Sequence, residues 1–157
     1  MTIKLLAIGK TDNKQLQVLI EDYTKRLGHY IKFELEIIPD LKKVKHLSEA
    51  QQKQKEGKLI LSKLSNSDVL ILLDEKGKQF DSIAFSSYLQ KHMNSGIKRL
   101  VFVIGGPYGF SEEVYKKANG KISLSKMTFS HQMVRLFVVE QLYRGFTILR
   151  NEPYHHK

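Results

Sequence analysis

The sequence predicts an α/β fold: a mostly parallel, five- or six-stranded sheet flanked by helices. Three observations carry this. Strand-like apolar runs alternate with helical stripes along the whole chain, the pattern of parallel α/β proteins. The runs at 69–73 and 100–104 are apolar at every position, as strands covered on both faces are. Capping residues and glycine stops punctuate the alternation at helical lengths. A length of 157 residues suits one domain, 1–157, with a core that needs no staples. No linker, repeat or low-complexity segment interrupts it.

Each element has its own local reason. Residues 3–9 read as a first buried strand. A helix follows, with Thr11, Asp12 and Asn13 as candidate N-caps. Leu16, Leu19, Ile20, Tyr23 and Leu27 form its apolar stripe, and Gly28 ends it. A second strand over 33–38 stops at Pro39-Asp40. Beyond a lysine-rich stretch, Ser48 and Gln51 have capping-box spacing for a helix to about residue 64. The third strand, 69–73, is broken by Asp74, Glu75, Lys76 and Gly77. Asp81 or Ser82 caps a third helix carrying Phe85, Leu89 and Met93 on one side. The fourth strand, 100–104, runs straight into Gly105-Gly106-Pro107-Tyr108-Gly109. Ser111 starts a short helix, with Glu112 and Glu113 favourable against its dipole, and Asn119-Gly120 stops it. A short strand over 122–124 precedes a final helix from His131 to about residue 150. That helix is apolar nearly all round, including Met133, Leu136, Phe137, Val138, Leu142 and Phe146. Such a helix needs cover on more than one side; one sheet covers one side, so a homodimer is expected.

Composition narrows the function classes. There are no cysteines, which excludes disulfides and thiolate metal sites. The six histidines are scattered, and no metal is expected. No apolar run approaches the length of a membrane span, the first ten residues lack a signal-peptide layout, and the cytoplasm is the expected compartment. Lys and Arg number 26 against 16 Asp and Glu, a net charge of +10. That excess either attracts a polyanion such as RNA or aids solubility.

Ligands of open parallel sheets bind beyond the carboxyl ends of the strands. Three segments leave those ends with unusual sequence: 73–77, 105–109 and 125–129. Three glycines around Pro107 suggest a shaped, ligand-facing loop; the alternative is a plain strand-to-helix turn. The segment 123–132 carries Leu124, Met127 and Phe129, and is either a packed loop or a pocket wall. Neither a dinucleotide fingerprint nor a P-loop occurs, nor a serine-hydrolase elbow. Glu140 and Arg144 are spaced for a surface ion pair of small energy. Arg135 sits in a very apolar helix and suggests a dimer or substrate contact. His131 is either functional or a neighbour of the helix cap.

Taken together, these segments are diagnostic. The runs 103–109, 123–135 and 140–144 and the Pro153-Tyr154-His155 ending resemble the bacterial large-subunit (23S) rRNA pseudouridine N3-methyltransferase family, ribosomal large subunit methyltransferase H. Ile8-Gly9-Lys10 and residues 23–27 fit as well, so the resemblance spans the chain. Gly145 stands where alanine is expected, and the tail carries two histidines. The resemblance implies a SPOUT-type fold with a C-terminal trefoil knot, cytoplasmic, homodimeric and dependent on S-adenosylmethionine. It implies a cofactor pocket of Leu73, Gly105, Leu124, Ser125, Lys126, Met127, Thr128 and Phe129. His131, Arg135, Tyr154 and His155 become the candidates for handling the imide proton, with one protomer's tail completing the other's site. The substrate is the large-subunit rRNA of the ribosome, with Lys42, Lys43, Lys45, Arg144, Arg150 and Lys157 as expected phosphate contacts. An RNA-binding module without catalysis, a methyltransferase of another RNA and a nucleotide-dependent α/β enzyme are the rival readings.

Overall fold

The structure, a computed structural model, describes residues 1–42 and 44–156. Lys43 and Lys157, two expected phosphate contacts, lie outside the described residues. The elements run β1 (Thr2–Ile8), α1 (Lys14–Gly28), β2 (Lys32–Ile38), a 3₁₀ turn (Val44–His46), α2 (Glu49–Ser62), β3 (Val69–Gln79), α3 (Ser82–Asn94), β4 (Arg99–Ile104), α4 (Glu112–Lys117), β5 (Gly120–Ser123) and α5 (Met133–Leu149).

The strands form one five-stranded sheet in the order β2-β1-β4-β3-β5, and every pairing is parallel. The apolar runs have a direct cause. Side chains alternate across a strand, and both faces of this sheet are covered. Ile3, Leu5, Leu100, Phe102 and Ile104 pack with Leu27 of α1, Phe85 and Leu89 of α3, and Val138, Leu142 and Phe146 of α5. Leu6, Ile8, Leu70, Leu72, Val101 and Val103 pack on the other face with Ile60 of α2 and Val114 of α4. Helix α5 packs between α1 and α3.

Local signals decide the helix starts. Asn13, Ser48, Asp81 and Ser111 all cap as side-chain acceptors, and Ser48 with Gln51 closes a full capping box. Three expectations are revised. The stripe on α1 is narrower than its spacing suggests: Leu27 is fully buried, but Leu19 is 44% exposed. Strand β3 does not end at Leu73. Its pairing with β5 slips between Leu73 and Lys78 and then resumes, so residues 74–77 form a bulge. Gly77 makes this passage feasible, because a Cβ there would lie 2.5 Å from the Ile122 backbone. Helix α5 begins at Met133 rather than His131, with no side-chain cap from Gln132. The Gln132 carboxamide instead accepts from the backbone N–H groups of Asp12 and Asn13 and so braces the start of α1.

Helix α5 ends in a Schellman turn. Asn151 adopts φ 53°, its N–H donates to the Ile148 carbonyl, and Glu152 N–H donates to Thr147. Asparagine tolerates this left-handed conformation and other L-residues resist it. The turn sends residues 152–156 back along α5. Asn151→Ala is expected to lower stability by about 1 kcal/mol, read as a drop in the urea midpoint, whereas Asn151→Gly leaves the midpoint nearly unchanged.

Candidate functional site

A cleft of about 620 Å³ opens at the carboxyl ends of β3, β4 and β5. Its walls are the three strand-end segments of the sequence. Of the expected pocket residues, Leu73, Gly105, Leu124, Ser125, Met127, Thr128 and Phe129 line it, and so does His131. Lys126 is exposed and does not. The volume suits a small organic ligand. Apolar groups converge there: Ile104 and Ile122 at the base, and Phe129, whose ring packs 4.9 Å from Phe137. Met127 stands 78% exposed at the rim.

Local hydrogen bonds shape these walls. In the bulge, Lys76 N–H donates to Asp74 Oδ1 at 2.8 Å. Tyr115 on α4 donates to Asp74 Oδ2 at 2.5 Å, tying the bulge to the helix. Burial, then the Asp74 bond, pushes the Tyr115 phenol up to about 12, so it stays a donor. In the loop after β5, Ser123 Oγ donates to the Ser125 carbonyl and Met127 N–H to Ser125 Oγ. In the loop after β4, Gly109 N–H donates to the Gly106 carbonyl.

Behind Gly106 lies a residue that sequence reasoning missed. Glu56 of α2 is 3% exposed, and a Cβ on Gly106 would stand 2.2 Å from its Oε2. Glu56 Oε1 accepts from Gln52 at 2.9 Å, while Oε2 has no partner among the described residues. Burial raises its proton affinity; the Gln52 bond opposes that, Asp40 adds to it and His131 opposes it. A usable signal was Gly57, a lone glycine inside a helix: a Cβ there would meet Ser111 Oγ at 2.3 Å. It marks the close approach of α2 to α4 and therefore the burial of its neighbour.

Arg135 is 1% exposed and does not line the cleft. Its guanidinium donates to the Ile8 carbonyl at 2.7 Å and to Thr11 Oγ1 at 2.8 Å. Burial lowers its pKa, and Asp40 and Asp12 oppose that shift. It holds the turn between β1 and α1. Gly9, in the same turn, has φ +82° and meets Asp40 where a side chain would stand.

Tyr154 and His155 belong to a second cluster, none of whose members lines the cleft. Glu140 and Arg144, expected as a surface pair, are at its centre: Arg144 Nη2 lies 2.5 Å from Glu140 Oε1, with the side chains 25% and 16% exposed. The Tyr154 hydroxyl donates to the same Oε1 at 3.0 Å and lies 3.1 Å from the Tyr23 hydroxyl. The Arg144 guanidinium sits 4.7 Å over the Tyr154 ring, and His155 Nδ1 is 3.5 Å from Arg144 Nη1. Burial, then bonds from Tyr23 and Glu140, raise the Tyr154 phenol above its ordinary range. For Arg144, burial alone would lower the pKa, but Glu140 outweighs it and the net shift is upward. Nothing in the sequence tied Tyr23 to Tyr154, because they lie 131 positions apart.

Of the other expected phosphate contacts, Lys42 and Lys45 are exposed, and the Arg150 guanidinium lies 5.0 Å over the Tyr30 ring. Among the described residues, no helix is long and apolar enough to cross a membrane, and no group of three or more His, Asp or Glu residues could hold a metal ion.

Comparison with known proteins bears on this arrangement. A family model described as "Predicted SPOUT methyltransferase" matches residues 1–155. Similar curated proteins include those named Ribosomal RNA large subunit methyltransferase H from Flavobacterium johnsoniae, Flavobacterium psychrophilum and Christiangramia forsetii. They are 78%, 76% and 73% identical, each over 100% of both chains.

Two outcomes follow for stability. Gly106→Ala drives a methyl group into the Glu56 carboxyl, and overpacking of this kind costs about 1–3 kcal/mol, read by urea unfolding. Arg135→Met leaves the Ile8 carbonyl without its donor and is expected to cost about 2 kcal/mol on the same assay.

Proposed function

The chain belongs to the SPOUT methyltransferase family, and from that premise we propose that it transfers the methyl group of S-adenosylmethionine to N3 of a pseudouridine in large-subunit rRNA. The observation that carries this is the convergence of three strand-end segments, 73–77, 105–109 and 124–131, on one cleft. The names of the full-length relatives supply the substrate class. The net charge of +10 suits an RNA substrate, and a ribosome-directed enzyme works in the cytoplasm. The trefoil-knotted threading implied by the family resemblance belongs to the same reading.

The residues present fit the cofactor. Apolar groups at Leu73, Ile104, Ile122, Leu124 and Phe129 would offer surfaces for its carbon-rich parts, and Gly105 and Gly106 would offer backbone, since a Cβ on them would meet Phe110 and Glu56. When bound, S-adenosylmethionine supplies a methyl group already activated on sulfonium, so orienting the acceptor nitrogen carries much of the rate. The chain must then manage the imide proton. His131, on the cleft wall, is the proposed residue to meet the target base. Tyr154, kept protonated by burial and its neighbours, is a donor suited to an imide carbonyl whose charge grows as the proton leaves. Arg144 and Glu140 hold it in place.

Within one chain the tail cluster and the cleft are separate groups of residues. The proposed homodimer resolves this by presenting one copy's cluster to the other copy's cleft. Exposed apolar side chains on α1 and at the start of α5 favour such a face: Val18 is 64% exposed, Leu19 44% and Met133 39%. In this arrangement Arg135 is a positioning residue for the β1–α1 turn. Lys42 and Lys45, exposed outside the cleft, are the proposed phosphate contacts, and Arg150 is another.

The test is methyl transfer from labelled S-adenosylmethionine to ribosomes from a host lacking this gene, with isolated large-subunit rRNA alongside. Label on one large-subunit pseudouridine is expected; label confined to another RNA would sink the substrate assignment. Tyr154→Phe is expected to cut turnover on the order of 10²-fold while the cofactor dissociation constant, read by calorimetry, stays unchanged. Tyr154 is protonated at neutral pH, and its shift is upward. Any loss of rate from its ionisation therefore falls above the ordinary tyrosine range, and a decline in turnover between pH 7 and about 10 would point to another group.

A further inference from the structure

The orphaned carboxylate oxygen of Glu56 has a consequence for which ligand the cleft prefers. A buried carboxylate with one hydrogen bond is unfavourable unless it takes up a proton or gains a positive neighbour. Glu56 is 3% exposed, its Oε1 is held by Gln52, and its Oε2 has no partner among the described residues. The carboxyl abuts Gly106, itself a wall of the cleft. The missing Cβ at that one residue lets the carboxyl close on the Gly106 backbone, behind the wall rather than in the cleft itself.

We propose that Glu56 is the counter-charge that makes the cleft select a cationic sulfonium cofactor over its neutral thioether product. This rests on the S-adenosylmethionine reading above. S-adenosylmethionine and S-adenosylhomocysteine have nearly the same shape and differ by one positive charge at sulfur. Contacts to adenine, ribose and the amino acid end serve both alike. An ionised carboxylate behind the glycine wall favours only the first, and low local polarity strengthens the effect. After methyl transfer the same carboxylate loses its counter-charge, which favours release of the product. Glu56 acts through space and positions no reacting atom.

The charges facing Glu56 define the pH behaviour. Asp40, after β2, disfavours its ionised form, and His131, ahead of α5, favours it. Asp12 and Arg135 bear on the same region through Arg135's interactions with Asp40 and Asp12. Lys53 of α2 lines the cleft one helical turn away. Burial raises the Glu56 pKa, and a bound cation would lower it, so sulfonium binding releases protons. Preference for the sulfonium therefore rises as pH rises through the raised pKa. His131 faces the same carboxyl, so its contribution must be separated.

The experiment is calorimetric binding of S-adenosylmethionine and S-adenosylhomocysteine to the full chain and to Glu56→Gln, between pH 5 and 9, with a His131→Gln series in parallel. Glu56→Gln keeps the shape and the Gln52 bond. It is expected to lower the affinity ratio of the two ligands by about tenfold, leave S-adenosylhomocysteine affinity within about twofold, and flatten the pH dependence that persists in His131→Gln. Equal weakening of both ligands would reduce Glu56 to a support of the loop and overturn the proposal, as would an unchanged ratio. Should Glu56→Gln not fold, the His131→Gln series decides: a ratio that rises with pH supports the proposal, and a flat one overturns it. If the unaltered chain binds neither ligand, the cofactor reading itself fails and this inference falls with it; binding of both without discrimination overturns the inference alone.

Discussion

A parallel sheet that is apolar on both faces must be covered twice, and that constraint organises this molecule. Alternating side chains of β1, β3 and β4 feed two separate clusters, one under α1, α3 and α5 and the other under α2 and α4. Because the strands run in one direction, their carboxyl ends gather along one edge. The loops that leave that edge are the segments least able to be regular structure. The cleft is thus a geometric consequence of burying the sheet, and the loop sequences adapt it to a ligand.

The bulge between Leu73 and Lys78 extends that logic. It releases four residues from the β3–β5 pairing and then returns the chain to it, so the cleft gains polar groups without loss of the sheet edge. The Asp74–Tyr115 bond fixes where those groups stand. On the opposite side, Arg135 and Gln132 reach from the start of α5 to the β1–α1 turn, across more than a hundred residues of sequence. The buried Arg135 bond is costly to break, and the exposed Gln132 bonds add to it, so the turn and the helix hold each other in register. The wall carrying His131 is thereby tied to the first strand of the sheet.

Two polar clusters remain apart within one chain. The cleft has a buried carboxylate behind its glycine wall, and the α5 tail has a tyrosine, an arginine and a glutamate in one network. In the dimer proposed above, a second copy would bury the apolar, part-exposed faces of α1 and α5 and bring the two clusters together. The Schellman turn at Asn151 matters for the same reason, since it decides where the tail cluster is presented.

The sequence by itself determined the order and type of the five strands and five α-helices, a mostly parallel sheet, the caps at Ser48 and Ser111, and the three strand-end segments that became the cleft, while Asn13 and Asp81 were each one of several candidate caps and the 3₁₀ turn went unread. These are local properties. Periodicity, capping and glycine-proline chemistry act within a few residues of chain, and the specific run from 123 to 135 carried the family resemblance. What only the tertiary structure decided were the partners of polar side chains. Glu140 and Arg144 read as a surface pair until Tyr154 and Tyr23 closed over them. Arg135 read as a dimer or substrate contact, and only the packed structure shows its guanidinium on the Ile8 carbonyl. Glu56 drew no notice in the sequence, and its burial follows from the close approach of Gly106 and Gly57 to their neighbours. The physical reason is the same in each case. A charged side chain's role depends on its local polarity and its nearest opposite charge or hydrogen-bond partner, and here those come from segments far apart in the chain that only the packed sheet brings together.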